Sequence, residues 1–190
     1  MGRIINILDN EIDESIGSIF GLAKINDKND RFFKKTGKSK YCKWVELDGL
    51  FDTAPLIRKS IAIKYPFPVH EEEKYMAESW LSNHIDKTHF SYFVNQYLMR
   101  AEYQEDGLSA QSLKLRTCAP INAMSVYSSY LDSEIRFIKK ARYVINYWRF
   151  YYHAKDKYQN IRYRDHINKY FMFTPFGKIF FLVDKYIAKR

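Results

Sequence analysis

The stretch Ile16–Lys24, IGSIFGLAK, decides the fold class because the class follows from the order of strands and helices, and this stretch is the first strand in that order. Its apolar run is followed by Asn26–Asp30, NDKND, a turn rich in Asn and Asp. An apolar run bounded by such a turn predicts a β-strand. A parallel sheet normally supplies a βαβ unit beside such a strand, and none precedes this one. The pattern therefore also predicts that part of the sheet is missing upstream.

Strands and helices alternate after this first strand, and only helices follow in the last third of the chain. The further strand candidates are Tyr41–Leu47, Phe90–Asn95 and Leu98–Tyr103. The predicted helices are one opened by Pro55 after an Asp52 or Thr53 cap, one from Met76, and the later segments Ala119–Leu131, Asp132–Tyr152, Ile161–Phe173 and Pro175–Ala188. This order predicts an α/β layer followed by an all-helical segment.

Composition is typical of a globular chain. Of the 190 residues, 46% are hydrophobic and 17% aromatic, which is enough for a sizeable core. No apolar run is long enough to span a bilayer and no signal peptide is present, so a cytoplasmic location is expected. Cys42 and Cys118 lack CxxC spacing, which favours two buried, reduced thiols over a disulfide or a zinc site.

Positive charge is concentrated at the C-terminus. Residues 1–133 carry 17 Lys and Arg against 18 Asp and Glu, a net −1, whereas residues 134–190 carry 14 against 4, a net +10. The same 57 residues hold 16 of the 33 aromatic side chains. This basic aromatic segment suits an anionic surface, either a membrane or a nucleic acid. The alternative is a solvated helix pair packed by its aromatic side chains.

Carboxylates are the chemistry that remains, because glycine-rich nucleotide loops, zinc motifs and a nucleophile elbow are absent from the sequence. Three glutamates, Glu71–Glu73, precede the helix predicted from Met76, and Glu78 falls in its first turn. A helix N-terminus stabilises acidic side chains, which is a structural explanation for Glu71 and Glu73. Glu78 lies inside the apolar pattern, where a carboxylate can act as a general base.

Four sequence blocks follow one another in a set order. They are D-T-A-P-L-I-R from Asp52, Y-P-F-P from Tyr65, E-K-Y-x-x-E from Glu73, and Y-Q-E-D-G-L-S from Tyr103 followed by K-L-R. In order and spacing they resemble the C-terminal half of bacterial family 2 glycosyltransferases, which have the GT-A fold and use nucleotide sugars. Residues 16–24 also resemble the family's strand that follows its metal-binding aspartates.

The resemblance implies a GT-A-like mixed sheet with flanking helices over residues 1–133 and a helical extension over residues 134–190. It implies transfer of a sugar from a nucleoside diphosphate to an acceptor hydroxyl, with inversion, in bacterial surface polysaccharide synthesis. In the family a carboxylate takes the acceptor proton, and Mg²⁺ or Mn²⁺ on an Asp-x-Asp motif balances the leaving diphosphate. This sequence has no Asp-x-Asp. We therefore expect the metal site and the nucleotide-binding half to be absent from this chain.

On the acceptor side, Glu78 matches the first position of the family's Glu-Asp pair. The second position is the usual base and is Ser79 here, so we expect Glu78 to be the base, with Asp52 as the second candidate. A helix cap is the alternative role for Asp52. Glu72 and Lys74 match an acidic-Lys block that borders the acceptor, with a solvated charge pair as the alternative.

On the donor side, Asp48 matches a position on the floor of the active site. Asp106, Gly107 and Ser109 match the loop that closes over the donor diphosphate, and Gly107 would permit a turn with positive φ. Arg116 is placed to touch phosphate.

The expected partners are a nucleotide-sugar donor, a sugar or lipid-linked acceptor, and a separate N-terminal half. The C-terminal helices of relatives often lie against the membrane, which implies a peripheral location on its inner face for residues 134–190. Two alternatives stay open. One is a non-catalytic fragment or partner subunit. The other is nucleic-acid binding, which is less favoured because nothing in residues 1–133 requires it, and no nucleic-acid partner is expected.

Overall fold

A computed structural model describes residues 13–25, 32–48, 52–68, 70–102, 107, 111–162 and 165–188. Within these ranges the chain is a mixed α/β structure with one four-stranded sheet and seven α-helices, which confirms the predicted class. The chain divides into two compact units. The sheet unit comprises residues 1–66 and 81–103, and the helical unit comprises residues 67–80 and 104–190.

The sheet unit contains strands β1 (Ile16–Ile25), β2 (Gly37–Ser39), β3 (Thr53–Ile57) and β4 (Phe90–Ala101), ordered β2-β4-β1-β3. Strand β1 is parallel to β4 and antiparallel to β3, and β2 is antiparallel to β4. Three helices accompany them, α1 (Tyr41–Asp48), α2 (Lys59–Ala62) and α3 (Ser79–Thr88). The predicted first strand is confirmed, and as an inner strand it is buried along most of its length.

Strand β4 is one long strand, whereas two short strands were predicted over the same residues. Its register with β1 shifts in the middle, from the pair Phe20–Phe93 to the pair Leu22–Tyr97. Strand β4 therefore uses four residues where β1 uses two, as in a β-bulge. An added Cβ at Gly21 would lie 2.9 Å from a backbone carbonyl oxygen of β4, so this close approach requires glycine.

Helix α1 replaces the strand predicted over Tyr41–Leu47, and that prediction is wrong. Its buried side chains follow helical spacing rather than alternation, and they are Tyr41, Cys42, Trp44 and Val45. The buried carboxylate of Asp86 accepts hydrogen bonds from the backbone N–H groups of Tyr41, at 2.6 Å, and Cys42, at 3.1 Å. The helix start is therefore capped by a residue distant in sequence, which local pattern does not reveal.

Strand β3 replaces the first turns of the helix predicted from Pro55, which is also wrong, because only α2 is helical in this region. Pro55 pairs with Phe20 of β1 in an antiparallel register. A proline is tolerated there because β3 is the edge strand of the described sheet, where no other described strand pairs with its outer side.

Aromatic packing forms the core of the sheet unit. The ring centroids of neighbouring pairs lie between 5.2 and 5.9 Å apart, within the favourable range for aromatic pairs. The rings belong to Phe20, Phe33, Tyr41, Trp44 and Phe93. The core thus joins β1, β4 and α1 to the segment that precedes β2.

The two cysteines differ in exposure, which corrects the prediction that both are buried. Cys42 is buried in the sheet unit and Cys118 is exposed. Burial, with the neighbouring Asp86 carboxylate, raises the pKa of the Cys42 thiol to about 12. The Cys42 thiol is therefore neutral near pH 8 and a poor nucleophile.

We expect a maleimide at about pH 8 to label Cys118 in the folded chain and Cys42 only after unfolding, since the reactive species is the thiolate. Mass spectrometry of proteolytic peptides, before and after denaturant, measures this. The matched control is Cys118→Ser, which should stay unlabelled when folded. Rapid labelling of Cys42 in the native chain would contradict the placement of α1.

The helical unit contains α4 (Ser112–Cys118), α5 (Pro120–Leu131), α6 (Phe137–Lys157), a 3₁₀-helix (Asp165–Phe173) and α7 (Thr174–Ile187). Helices α5, α6 and α7 confirm predicted helices, although α6 begins later than expected, and the segment after α6 is 3₁₀ rather than α-helical. Helix α4 was not predicted. One hydrophobic core joins residues of α5, such as Met124, to residues of α6, such as Trp148. The sequence resemblance also implied a boundary at residue 133, between a glycosyltransferase domain and its helical extension. That boundary stays a prediction.

Among the helices of the described residues, none is both long enough and apolar enough to cross a bilayer.

Candidate functional site

The segment Phe67–Trp80, here called the acidic arm, is part of the helical unit and carries the glutamates singled out in the sequence. Glu73 is its buried carboxylate, with 7% of the residue's surface exposed. Its carboxylate accepts hydrogen bonds from the backbone N–H groups of Ile121, at 2.9 Å, and Asn122, at 2.7 Å. Glu73 therefore caps α5, whereas the sequence pattern assigned it to the helix that follows the arm.

Two further contacts hold the arm on α5. The side-chain amide of Asn122 donates to the carbonyl of Tyr75 at 3.0 Å. The indole N–H of Trp80 donates to the hydroxyl of Ser125 at 3.1 Å, and the Trp80 side chain is buried. The arm is thus attached to one helix at its middle and at its C-terminal end.

The exposed charged groups of the arm lie beside these attachments in the sequence. Glu72 and Lys74 flank the buried Glu73 and are both exposed. Glu78 is also exposed, and it directly precedes α3 instead of lying within its first turn. The structure therefore presents Glu78 to solvent, where the sequence pattern suggested the wall of an apolar pocket. An exposed carboxylate on a fixed segment can accept a proton from a hydroxyl bound beside it.

Arg116 lies in the same unit, near the end of α4. It is half-buried, and its guanidinium donates to the Tyr127 hydroxyl at 3.4 Å. Gly107 is half-buried, whereas Asp106 and Ser109 lie outside the described residues. The loop predicted over the donor diphosphate is therefore described only at Gly107.

The two remaining candidates belong to the sheet unit. Asp52 is exposed and directly precedes β3, so the alternative role as a cap for a helix opened by Pro55 is wrong. Asp48 is the last residue of α1, and its side chain lies outside the described part of the chain.

The described residues form no cluster suited to holding a metal ion. In the part of the chain that the structure describes, no group of three or more His, Cys, Asp or Glu side chains is arranged to hold a metal ion. The sequence also has no Asp-x-Asp. The described residues thus do not fit the metal implied by the family resemblance, and no catalytic step is assigned to a metal.

One charged cluster escaped the sequence analysis. Asp184 of α7 is 7% exposed, and its carboxylate lies 2.6 Å from Arg149 Nε and 2.9 Å from His153 Nε2, with a second N–H of Arg149 on its other oxygen. Burial raises the pKa of Asp184, but the Arg149 and His153 hydrogen bonds and charges outweigh it and hold it below its usual range. The sequence does contain one indication of this cluster, because Asp184 is the single acidic residue of α7 within a strongly basic segment.

Comparison with known proteins gave no relative, because no family model, no curated protein and no solved structure matches the chain. The family assignment therefore rests on the sequence blocks and is a proposal.

Proposed function

We propose that this chain is the acceptor-side part of a family 2 glycosyltransferase with a GT-A-like sheet. It would transfer a sugar from a nucleoside diphosphate to an acceptor hydroxyl, with inversion, in bacterial surface polysaccharide synthesis. The acidic arm carries the proposal: it contains the E-K-Y-x-x-E block and presents Glu72, Lys74 and Glu78 to solvent while Glu73 and Trp80 hold it on α5. A fixed segment orients a base better than a loose loop does.

In the proposed reaction Glu78 accepts the proton of the acceptor hydroxyl while the hydroxyl oxygen attacks the anomeric carbon. The new C–O bond forms as the bond to the diphosphate oxygen breaks, and the electron pair leaves with the diphosphate. The proton remains on Glu78. Asp52 is the second candidate for this role, because Ser79 stands where the family's usual base would be.

The substrate-binding roles are those that the family resemblance implies. Glu72 accepts and Lys74 donates hydrogen bonds to hydroxyl groups of the acceptor. On the donor side, the Asp106, Gly107 and Ser109 loop closes over the diphosphate, Arg116 pairs with phosphate, and Asp48 lines the floor. The further partner is a separate nucleotide-binding half, since this sequence lacks the Asp-x-Asp that would accompany it.

The proposed location is the inner face of the cell membrane, reached through residues 134–190. Their net charge of +10 and their 16 aromatic side chains suit an anionic interface. A second candidate function is that of a non-catalytic partner subunit, which the missing Asp-x-Asp favours.

We expect the chain, supplied with a nucleotide-binding half, to release nucleoside diphosphate from UDP- or GDP-sugars, with water as the acceptor. Glu78→Gln should slow this release about a hundredfold, because glutamine keeps the shape but cannot take a proton. A coupled diphosphate assay measures the rate, and Glu71→Gln is the matched control, since Glu71 is an exposed glutamate of the same arm.

Equal rates for the wild type and Glu78→Gln would remove Glu78 from the mechanism. Release that is absent from the wild type, and still absent after addition of a nucleotide-binding half, would leave the non-catalytic function.

A further inference from the structure

Helix α7 exposes most of its apolar side chains and buries the carboxylate of Asp184. Asp184 and Gly177 face the rest of the helical unit. Seven large hydrophobic side chains of the helix are between 45% and 60% exposed, namely Phe176, Ile179, Phe180, Leu182, Val183, Tyr186 and Ile187. At 100° per residue they cover about 160° of the circumference, a continuous surface that we call the apolar face.

The orientation of α7 is determined by its contacts with α6. An added Cβ at Gly177 would lie 2.8 Å from the backbone nitrogen of Arg149, so the two backbones approach closely. Two turns further along α7, the carboxylate of Asp184 is hydrogen-bonded to Arg149 and His153 of α6. Rotating the apolar face inward would bring side chains into the space left by Gly177 and would separate Asp184 from its partners. The apolar face is therefore a stable outer surface.

Cations border this surface. Lys178 and Lys185, seven residues apart, lie along one edge of the face and are exposed. With the net charge of +10 over residues 134–190, this border favours an anionic surface. The same charge disfavours pairing of the face with a second copy of the chain, because two strongly basic segments would repel each other.

We propose that the apolar face is a binding surface for an anionic phospholipid bilayer, with α7 lying in the headgroup region and its axis parallel to the membrane. Fourteen residues make a helix about 21 Å long, shorter than the roughly 30 Å of the hydrocarbon core. Exposed apolar side chains bordered by lysines are what an interfacial helix requires. This surface deepens the proposed membrane location and rests on it, but it does not depend on sugar transfer.

The first test is flotation of the full chain with phosphatidylcholine vesicles containing about 30% phosphatidylglycerol. We expect Ile179→Asp and Val183→Asp each to weaken binding about tenfold, because a charge replaces an inserted apolar group. Pure phosphatidylcholine vesicles should bind the wild type more weakly. Ile63→Asp is the matched control, since Ile63 is an isoleucine outside α7 that is 68% exposed, against 57% for Ile179.

A fluorescent label gives a second readout. A polarity-sensitive dye on Val183→Cys, in a Cys118→Ser background, should shift to the blue when these vesicles are added. The same dye on the native Cys118 should not, and Cys42 stays unlabelled because it is buried.

The outcomes separate this surface from the proposed location and function. A wild type that does not bind anionic vesicles overturns both the location and the apolar face. Binding that survives both aspartate substitutions overturns the apolar face alone. A wild-type dimer by light scattering, converted to a monomer by Val183→Asp without any loss of vesicle binding, overturns it in favour of a second copy. Diphosphate release, assayed without vesicles, tests sugar transfer independently.

Discussion

Asp184→Ala is expected to destabilise the helical unit by about 4 kcal/mol, because it removes one partner of a buried charge cluster. The side chains of Arg149 and His153 are only 17% and 10% exposed, so water cannot fully replace the lost carboxylate. The guanidinium would remain desolvated without a counter-charge. Contact between α6 and α7 should weaken first, since Asp184 is a buried charged contact of α7 with α6.

Urea unfolding followed by circular dichroism measures this change. Asp156→Ala is the matched control, since Asp156 forms an exposed pair with Lys185 at 2.7 Å in the same unit, and it should stay within about 0.5 kcal/mol of wild type. The pH gives a second readout. Because the folded-state pKa of Asp184 is lowered, its stabilisation is present above about pH 4 and is lost as pH falls through the folded pKa. Asp184→Asn should lack this acid-dependent loss, and an unchanged acid profile would contradict the cluster.

Glu73→Ala is expected to cost about 3 kcal/mol, because two charge-assisted hydrogen bonds to the start of α5 are lost. Asn122 is buried, so its backbone N–H would have no water to replace the carboxylate. Glu73→Gln should be intermediate, since the amide offers one oxygen where the carboxylate offers two.

Amide hydrogen exchange locates the effect. Protection of a peptide covering Ile121 and Asn122 should fall in Glu73→Ala, together with the midpoint of thermal unfolding. Glu71→Ala is the matched control because Glu71 belongs to the same arm but is exposed, and it should change neither quantity. Normal protection in Glu73→Ala would show that the acidic arm does not cap α5.

The sequence pattern of a segment was sufficient to predict its secondary structure wherever that structure depends on the segment alone. The apolar run of β1 and the helices α5 and α7 are of this kind, since each is bounded by its own turn or proline. It failed at α1 and β3, where distant residues decide the outcome. The Asp86 cap at α1 and the pairing of β3 with β1 are contacts between segments far apart in sequence.

The candidate site shows the same division. The cluster of glutamates marked the acidic arm, and helix-terminus electrostatics correctly described the kind of contact that Glu73 makes. The helix that it caps could not be identified, because α5 begins 47 residues after Glu73 along the chain. Periodicity likewise predicted α7, but not which side of the helix packs on α6. A glycine contact and one buried aspartate determine that orientation.

The two units are interleaved along the chain, and this has a consequence for folding during translation. Strand β1 begins at residue 16, but its parallel neighbour β4 begins only at residue 90, so one edge of β1 is uncovered while the intervening segment emerges from the ribosome. Residues 67–80 likewise lack their packing partner until α5 has been synthesised. Nascent chains that end before residue 101, the last residue of β4, would then be bound by chaperones that recognise unpaired strand edges.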